Sequence, residues 1–362
     1  MKQSACPRVS WEDNIRHVEP YVPGEQPKDG EKIIKLNTNE MPYPPSAKVF
    51  EALKAFDAAT LRLYPAADVG PLRDALADYY GFDYDEVFVG VGSDDVLATA
   101  FLTFFNSQKP VIFPDITYSF YDVWAEVYRI PYETKPLDAD FHMVKSDYMC
   151  ENGGIVIANP NAPTGVSEME DISFIEDIVS ENPGSIVIVD EAYVDFGGIS
   201  ALPLIKKYEN MLVVRTFSKS RAFAGMRIGF AIGNRKLIKY LNDVKYSINS
   251  YTMNRPAIEL GLASLADEDY FRETVAKTVA TREWTKKALK ERHFNVTDSK
   301  TNFVFASPSG ISAKELFMGL KQRGIYVRWW DKDRIRDWLR ISVGTDEEMQ
   351  ALIDAIDNII GS

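Results

Sequence analysis

The residues of this chain most suited to chemistry lie in "VVRTFSKSRAFAGMRIGF", residues 213 to 230, where Lys219 follows an apolar run and precedes a stretch of small residues. A lysine there sits where a strand-to-helix loop enters the core. Burial disfavours the ammonium form, and a desolvated amine is the nucleophile that imine chemistry with a carbonyl requires. Thr216, Ser218 and Arg227 flank it with hydroxyls and a guanidinium. Asp190 and Glu191 close the apolar run "SIVIVDEAY". A carboxylate at such a place needs a partner, because an unpaired buried charge is prohibitive. The ordinary partner is an arginine, and a functional one stands equally open. In "VGVGSDDVLATAF", Gly92, Ser93 and Asp94 open a helix. The glycines allow close backbone approach and the helix N-terminus offers N–H groups to an anion, although Ser93 or Asp94 serves as readily as an N-cap. "ANPNAPTG" places prolines, asparagines and a glycine in a span that fixes an irregular backbone.

These residues need a scaffold that delivers them to one place. From about residue 46, helix-period segments ("AKVFEALKAF", "GPLRDALADYYG") alternate with short apolar runs ("VFVGVG", "PVIFPD", "GIVIANP", "SIVIVDEAY", "MLVVRTFSK"). Such runs suit a mostly parallel sheet covered by helices on both faces, which makes the chain α/β. In sheets of this kind ligands gather beyond the carboxyl ends of the strands, where the polar residues above fall. Residues 1–45, rich in proline, glycine and asparagine, are expected as an extended arm rather than a packed element, joining the smaller lobe. Residues 46–250 form the large domain. After Tyr251 long amphipathic helical patterns and a few strands predict a linking helix and a smaller α+β domain over 251–362.

Composition restricts the function classes. The chain has 362 residues, 46% of them hydrophobic, enough for a large core. A net charge of -12 opposes broad contact with nucleic acid or anionic membrane. Cys6 and Cys150 have no metal-type spacing, so no metal is expected, and a reducing cytoplasmic setting fits. No apolar run approaches bilayer length, and the first residues lack a signal-peptide core.

Taken in order, "LNTNEMPYPPS", "LYPAAD", "GVGSDDVL", "DITYSFY", "ANPNAPTG", "VDEAYVDF", "RTFSKSRAFAGMRIGF" and "LRISVGT" resemble the fold-type I pyridoxal-phosphate-dependent aminotransferases, and among them the histidinol-phosphate aminotransferases. The resemblance spans essentially the whole chain. It implies pyridoxal 5′-phosphate as cofactor, linked to Lys219. Arg227, Ser218 and Thr216 match phosphate-binding residues, with Gly92, Ser93 and Asp94 as the phosphate cradle. Asp190 matches the carboxylate that keeps the pyridine nitrogen protonated, Tyr193 the phenol on the ring's 3-oxygen, and Tyr118 the aromatic stacked on the ring. Tyr64 matches a tyrosine that reaches the cofactor phosphate of the neighbouring subunit, implying a homodimer with shared sites. Many relatives place asparagine directly before "PTG", where this chain has Ala162; Asn161, one residue earlier, is the candidate replacement. Arg340 and Arg328 match arginines that hold the substrate's carboxylate and phosphate, and Tyr21 and Asn39 match substrate-side residues.

The implied reaction is transamination between L-histidinol phosphate and 2-oxoglutarate. An aromatic amino-acid aminotransferase and a decarboxylase of a phosphorylated amino acid share the cofactor motifs. A catalytically silent regulatory homologue would not be expected to retain Lys219, Asp190, Tyr193 and Arg227. Trp329 and Trp330 are expected as packing residues, and His17, His142 and His293 lie outside every motif.

Overall fold

A computed structural model describes residues 11–22, 24–26 and 33–361; Cys6 lies outside them. The strands in chain order are β1 (Ile34–Lys35), β2 (Val87–Gly90), β3 (Val111–Pro114), β4 (Tyr132–Lys135), β5 (Gly154–Ala158), β6 (Val187–Asp190), β7 (Met211–Thr216), β8 (Gly229–Gly233), β9 (Asn295–Val296), β10 (Phe303–Ser307), β11 (Ile325–Tyr326), β12 (Arg328–Trp329) and β13 (Leu339–Ser342).

A seven-stranded sheet runs in the order β2-β8-β7-β6-β5-β3-β4. β8 is antiparallel to both its neighbours, β2 and β7, while the other pairings are parallel. Strands β2, β3, β5, β6, β7 and β8 are buried at every position. That explains their continuous apolar composition: helices cover both faces and no position is left for a solvated side chain. β4, "YETK", escapes that pattern. It is an edge strand with three exposed side chains, held by its register with β3, in which Val111 pairs with Tyr132.

The first helices match their sequence patterns: α1 (Ala47–Ala55), α2 (Gly70–Tyr80) and α3 (Ser93–Phe104). The long helical stretch after residue 254 is two helices, Arg255–Leu265 and Glu268–Glu291, divided at Ala266 and Asp267. Asn254 caps the first by accepting from the Ala257 amide.

The smaller lobe contains the antiparallel sheet β12-β13-β10-β9, backed by the helices Ala313–Gln322 and Asp346–Ile360. Both helices begin with a capping box, Ser312 with Glu315 and Thr345 with Glu348.

The end of the arm departs from the expected extended, unpacked segment. β1 pairs in parallel with β11, the Leu36 amide donates to the Tyr326 carbonyl, and the Leu36 carbonyl accepts from the Ser342 amide. Leu36, Asn37 and Asn39 are almost fully buried. Asparagine-rich composition signalled irregular backbone correctly, but burial here rests on hydrogen bonds to strands some 300 residues away, which local composition does not encode.

Candidate active site

The carboxyl ends of β2, β3, β5, β6 and β7 lie at one edge of the large sheet, and the antiparallel β8 begins there. A cavity at that edge brings together Lys219, Asp190, Tyr193 and Tyr118 on one side and Ser93, Asp94, Ser218 and Arg227 on the other. Thr216 also lines it. Lys219 Nζ donates to the Thr38 carbonyl at 3.4 Å and lies 5.6 Å from the centre of the Tyr193 ring.

The two adjacent carboxylates that end β6 have different surroundings. Glu191 forms an ion pair with Arg215 at 2.7 Å and accepts from Ser200 and the Ala201 amide. Asp190 has no cation among the described residues. Its oxygens accept from the Tyr121 hydroxyl at 2.8 Å and the Ala192 amide at 3.1 Å. Burial pushes its pKa up to about 6, against the lowering effect of those two hydrogen bonds. A buried carboxylate so placed is suited to a cation that arrives with a ligand, such as a protonated ring nitrogen.

At the other end of the cavity Gly92 caps α3 at φ +87, and a Cβ there would lie 2.5 Å from Arg227 Nη2. Gly229 faces it: a Cβ on Gly229 would fall 2.3 Å from the Ser93 amide nitrogen. Only glycine at these two positions lets β8 close on the turn and bring Arg227 beside the first turn of α3. The N–H groups of that turn have no intrahelical acceptor, so they offer donors to an anion. Arg227 donates to Asp94 at 3.0 Å and to Ser218 at 3.3 Å. The Tyr118 hydroxyl donates to the other Asp94 oxygen at 2.8 Å. The residues present therefore fit a group with a phosphate at one end, an aromatic ring beside Tyr118 and a basic ring nitrogen at Asp190.

Asn161 lies outside this set. Its amide donates to the Ile116 carbonyl and to Thr164, and its oxygen accepts from Thr117. The cavity wall at this point is Ala162, Pro160 and Ala192. The fully used amide braces the loop that contains both prolines, so the structure does not bring Asn161 into the expected contact with the ring oxygen. Asn39, expected on the substrate side, has its amide donating to the Tyr193 hydroxyl at 2.9 Å.

The substrate-side arginines come from the smaller lobe. Arg328 on β12 and Arg340 on β13 are direct cross-strand partners. Their guanidinium carbons each lie 5.2 Å from the Trp330 ring centre. Trp330 thus packs against both cations. Arg340 donates to the Asn37 carbonyl, and its Nε is buried with no partner. Burial lowers its pKa, with Arg328 adding to that effect. Among the described residues no carboxylate lies within ion-pair distance of Arg340. Tyr21 stacks on Phe120 at 4.2 Å, beside Tyr118. Arg334, by contrast, is tied to Asp115 at 2.8 Å and to the carbonyls of Leu137 and Asp138. Tyr64 is not among the residues lining this cavity and is 77% exposed, with its ring 4.7 Å from Tyr251.

Comparison with known proteins accounts for this arrangement. The family described as aminotransferase class I and II matches residues 31–356. The chain belongs to that family. The aminotransferase is 51% identical over 345 residues to the histidinol-phosphate aminotransferase of Lactococcus lactis subsp. cremoris, covering 95% of this chain and 96% of the relative. It is 47% identical over 350 residues to the enzyme of the same name from Clostridium botulinum, covering 97% and 98%. The fold is shared with the histidinol-phosphate aminotransferase of Sinorhizobium meliloti, solved with pyridoxal-5′-phosphate, at a TM-score of 0.84 and 23% identity over 99% of both chains. The cofactor of this aminotransferase is pyridoxal 5′-phosphate, consistent with the donors described above.

The sequence reading passed over Tyr121, although it lies in the quoted segment "DITYSFY" three residues after Tyr118. Ser342, in the quoted segment "LRISVGT", was likewise not singled out.

Proposed function

We infer that this aminotransferase converts L-histidinol phosphate and 2-oxoglutarate to imidazole-acetol phosphate and L-glutamate. The observation that carries the donor assignment is the Arg328–Arg340 pair. As direct cross-strand neighbours, the two side chains start close enough together to engage one anion jointly. A dianionic phosphate, with three oxygens, can use two guanidiniums, whereas a single carboxylate is satisfied by one planar fork.

The chain's own residues divide the work. Bound pyridoxal 5′-phosphate supplies the electron sink for the pair left when the substrate Cα–H bond breaks. Asp190 holds a proton on the ring nitrogen. Arg227, Ser218 and the first turn of α3 hold the phosphate, and Tyr118 confines the ring. Tyr193 donates its hydroxyl proton toward the ring oxygen. Lys219 Nζ, once released by the incoming amine, would take the proton from the substrate Cα and deliver it to C4′ of the cofactor. Arg340 receives the carboxylate of glutamate or 2-oxoglutarate and, with Arg328, the phosphate of the other substrate.

We place the enzyme in the cytoplasm as a homodimer in which Tyr64 reaches the cofactor phosphate of the partner subunit. Exposed Leu61 and Leu63, next to Tyr64 in the chain, and Tyr251 against its ring give this surface an apolar character suited to a subunit face. Among the described residues no helix is long and apolar enough to cross a membrane. Mixed dimers of Lys219→Ala and Tyr64→Ala, each inactive alone, should regain partial activity; no recovery from confirmed mixed dimers would place the whole site within one chain.

The donor assignment is tested by single-turnover conversion of the cofactor with histidinol phosphate, glutamate and phenylalanine separately. Phenylalanine should react about ten- to a hundredfold less efficiently than histidinol phosphate, the value of one charged contact. Equal efficiency would move the enzyme to the aromatic amino-acid class.

A further inference from the structure

Tyr193 faces the cavity beside Ala162, Pro160 and Ala192, whose side chains offer no hydrogen-bond donor. With the Asn161 amide fully used in its loop, the ring oxygen of the bound cofactor depends on the Tyr193 hydroxyl. A phenol can donate its single proton in one direction only, so what its oxygen receives from elsewhere matters.

That oxygen accepts from Asn39 Nδ2 at 2.9 Å. The orientation of the Asn39 amide is in turn set by Ser342. The Ser342 hydroxyl oxygen accepts from the Asn39 backbone amide at 2.8 Å and donates its own proton to Asn39 Oδ1 at 2.9 Å. Turning the amide over would point Nδ2 at Ser342 and leave the buried serine proton without an acceptor, at the cost of a lost hydrogen bond. The Asn302 amide holds the Asn39 carbonyl at 2.9 Å. Asn39 itself sits at φ +56, a left-handed conformation that asparagine tolerates and most residues do not.

We propose that Asn39, oriented by Ser342, is a positioning residue that directs the Tyr193 proton toward the cofactor's ring oxygen. Nδ2 is a donor, so Tyr193 cannot spend its proton on Asn39. Because the Asn39 backbone is built into the smaller lobe through β1 and Ser342 belongs to β13, the orienting groups come from the smaller lobe and the oriented group from the large sheet.

The inference rests on Tyr193 being the group at the ring oxygen, and the test separates the two. The readout is the pH midpoint of the visible absorption change of the Lys219-linked cofactor, measured without substrate. A hydrogen bond to the ring oxygen stabilises its negative charge and lets the Lys219-linked nitrogen release its proton at lower pH, so withdrawing the bond raises the midpoint. Asn39→Asp keeps the size and the left-handed tolerance but replaces the donor with an acceptor, which draws the Tyr193 proton away. The expected rise is roughly one to two pH units, as for Tyr193→Phe. Asn39→Gly, uncharged and unstrained at this φ, should produce a smaller rise. Adding Asn39→Asp to Tyr193→Phe should raise the midpoint no further. A wild-type midpoint in cofactor-loaded Asn39→Asp would overturn the proposal. So would a double variant showing both full shifts, which would mark a through-space effect of the new charge. An unmoved midpoint in Tyr193→Phe would instead overturn the reading of Tyr193. Should Asn39→Asp fail to fold, Ser342→Ala, which frees the amide to turn, must still raise the midpoint; loss of activity with the midpoint unmoved would show a structural role only.

Discussion

The cofactor wall and the substrate wall of the site differ in how their charges are closed. On the cofactor wall Arg227 meets Asp94 and Arg215 meets Glu191, so the charged groups are paired within the protein. The exceptions are Asp190, buried with hydroxyl and amide donors only, and the reactive Lys219, which reaches the Thr38 carbonyl. On the substrate wall two guanidiniums lie on neighbouring strands, each 5.2 Å from the Trp330 ring centre, with Arg328 reaching the Val22 carbonyl and Arg340 the Asn37 carbonyl. The first wall is assembled around a resident group and lacks a single cation. The second presents Arg340, which has no carboxylate within ion-pair distance among the described residues, beside Arg328. A permanent ligand favours preformed partners, whereas turnover of two different anions favours a guanidinium such as Arg340 that is left with donor capacity to spare.

The severest break of the cofactor wall is Lys219→Ala. Turnover should fall to background while cofactor still binds without a covalent link, because the phosphate cradle and Tyr118 remain. Borohydride reduction followed by mass measurement should then find no cofactor fixed to the chain; a labelled chain would move the reactive amine elsewhere.

Asp190→Asn keeps the shape and removes the charge opposite the ring nitrogen. Turnover should fall on the order of a hundredfold or more, since the proton on that nitrogen loses its counter-charge. Steady-state rates at saturating substrate check this, and wild-type activity would remove the special status of Asp190 among the buried carboxylates.

The substrate wall should respond more gently and selectively. Arg340→Gln is expected to weaken both half-reactions by about ten- to a hundredfold. Arg328→Gln should weaken the histidinol-phosphate half-reaction clearly more than the glutamate half-reaction. Single-turnover cofactor conversion by each donor decides this, and equal losses in Arg328→Gln would leave the two arginines without distinct roles.

The smallest effect concerns stability without cofactor. The Asp190 carboxyl has its pKa raised from 3.8 unfolded to about 6 folded, so the folded state binds the proton more tightly. Stability from this group is full below pH 4 and is lost as pH rises through 6. Cofactor-free wild type should therefore lose up to roughly 3 kcal/mol relative to Asp190→Asn between those limits. Unfolding temperatures of the two proteins across that range provide the measurement; a pH-independent difference would mean that Asp190 already has a cationic partner in the protein.

Much of the fold was legible because buried parallel strands and amphipathic helices leave strong local patterns. β4 was not, since an edge strand with exposed polar side chains has no hydrophobic signature. Nor was the packing of Leu36, Asn37 and Asn39, which depends on β11 and β13. Within the site, residues carried by contiguous motifs were the readable ones: Lys219 with Ser218, and Gly92 with Ser93 and Asp94.

By itself the sequence determined which reactive side chains stand at which strand ends, because each strand and the polar residues just beyond it are contiguous in the chain. Residue types alone could not decide which of two adjacent carboxylates would be the unpaired one, and only the resemblance of the motif singled out Asp190. Asp190 and Glu191 have the same local context, and only the placement of Arg215 beside Glu191 and Tyr121 beside Asp190 separates them. The same holds for the turn of Asn161 into its own loop, for Arg328 opposite Arg340, and for Asn39 on Tyr193, a contact spanning 154 positions. Hydrogen bonds and ion pairs are short-ranged and directional, so tertiary packing alone fixes which partners come within reach.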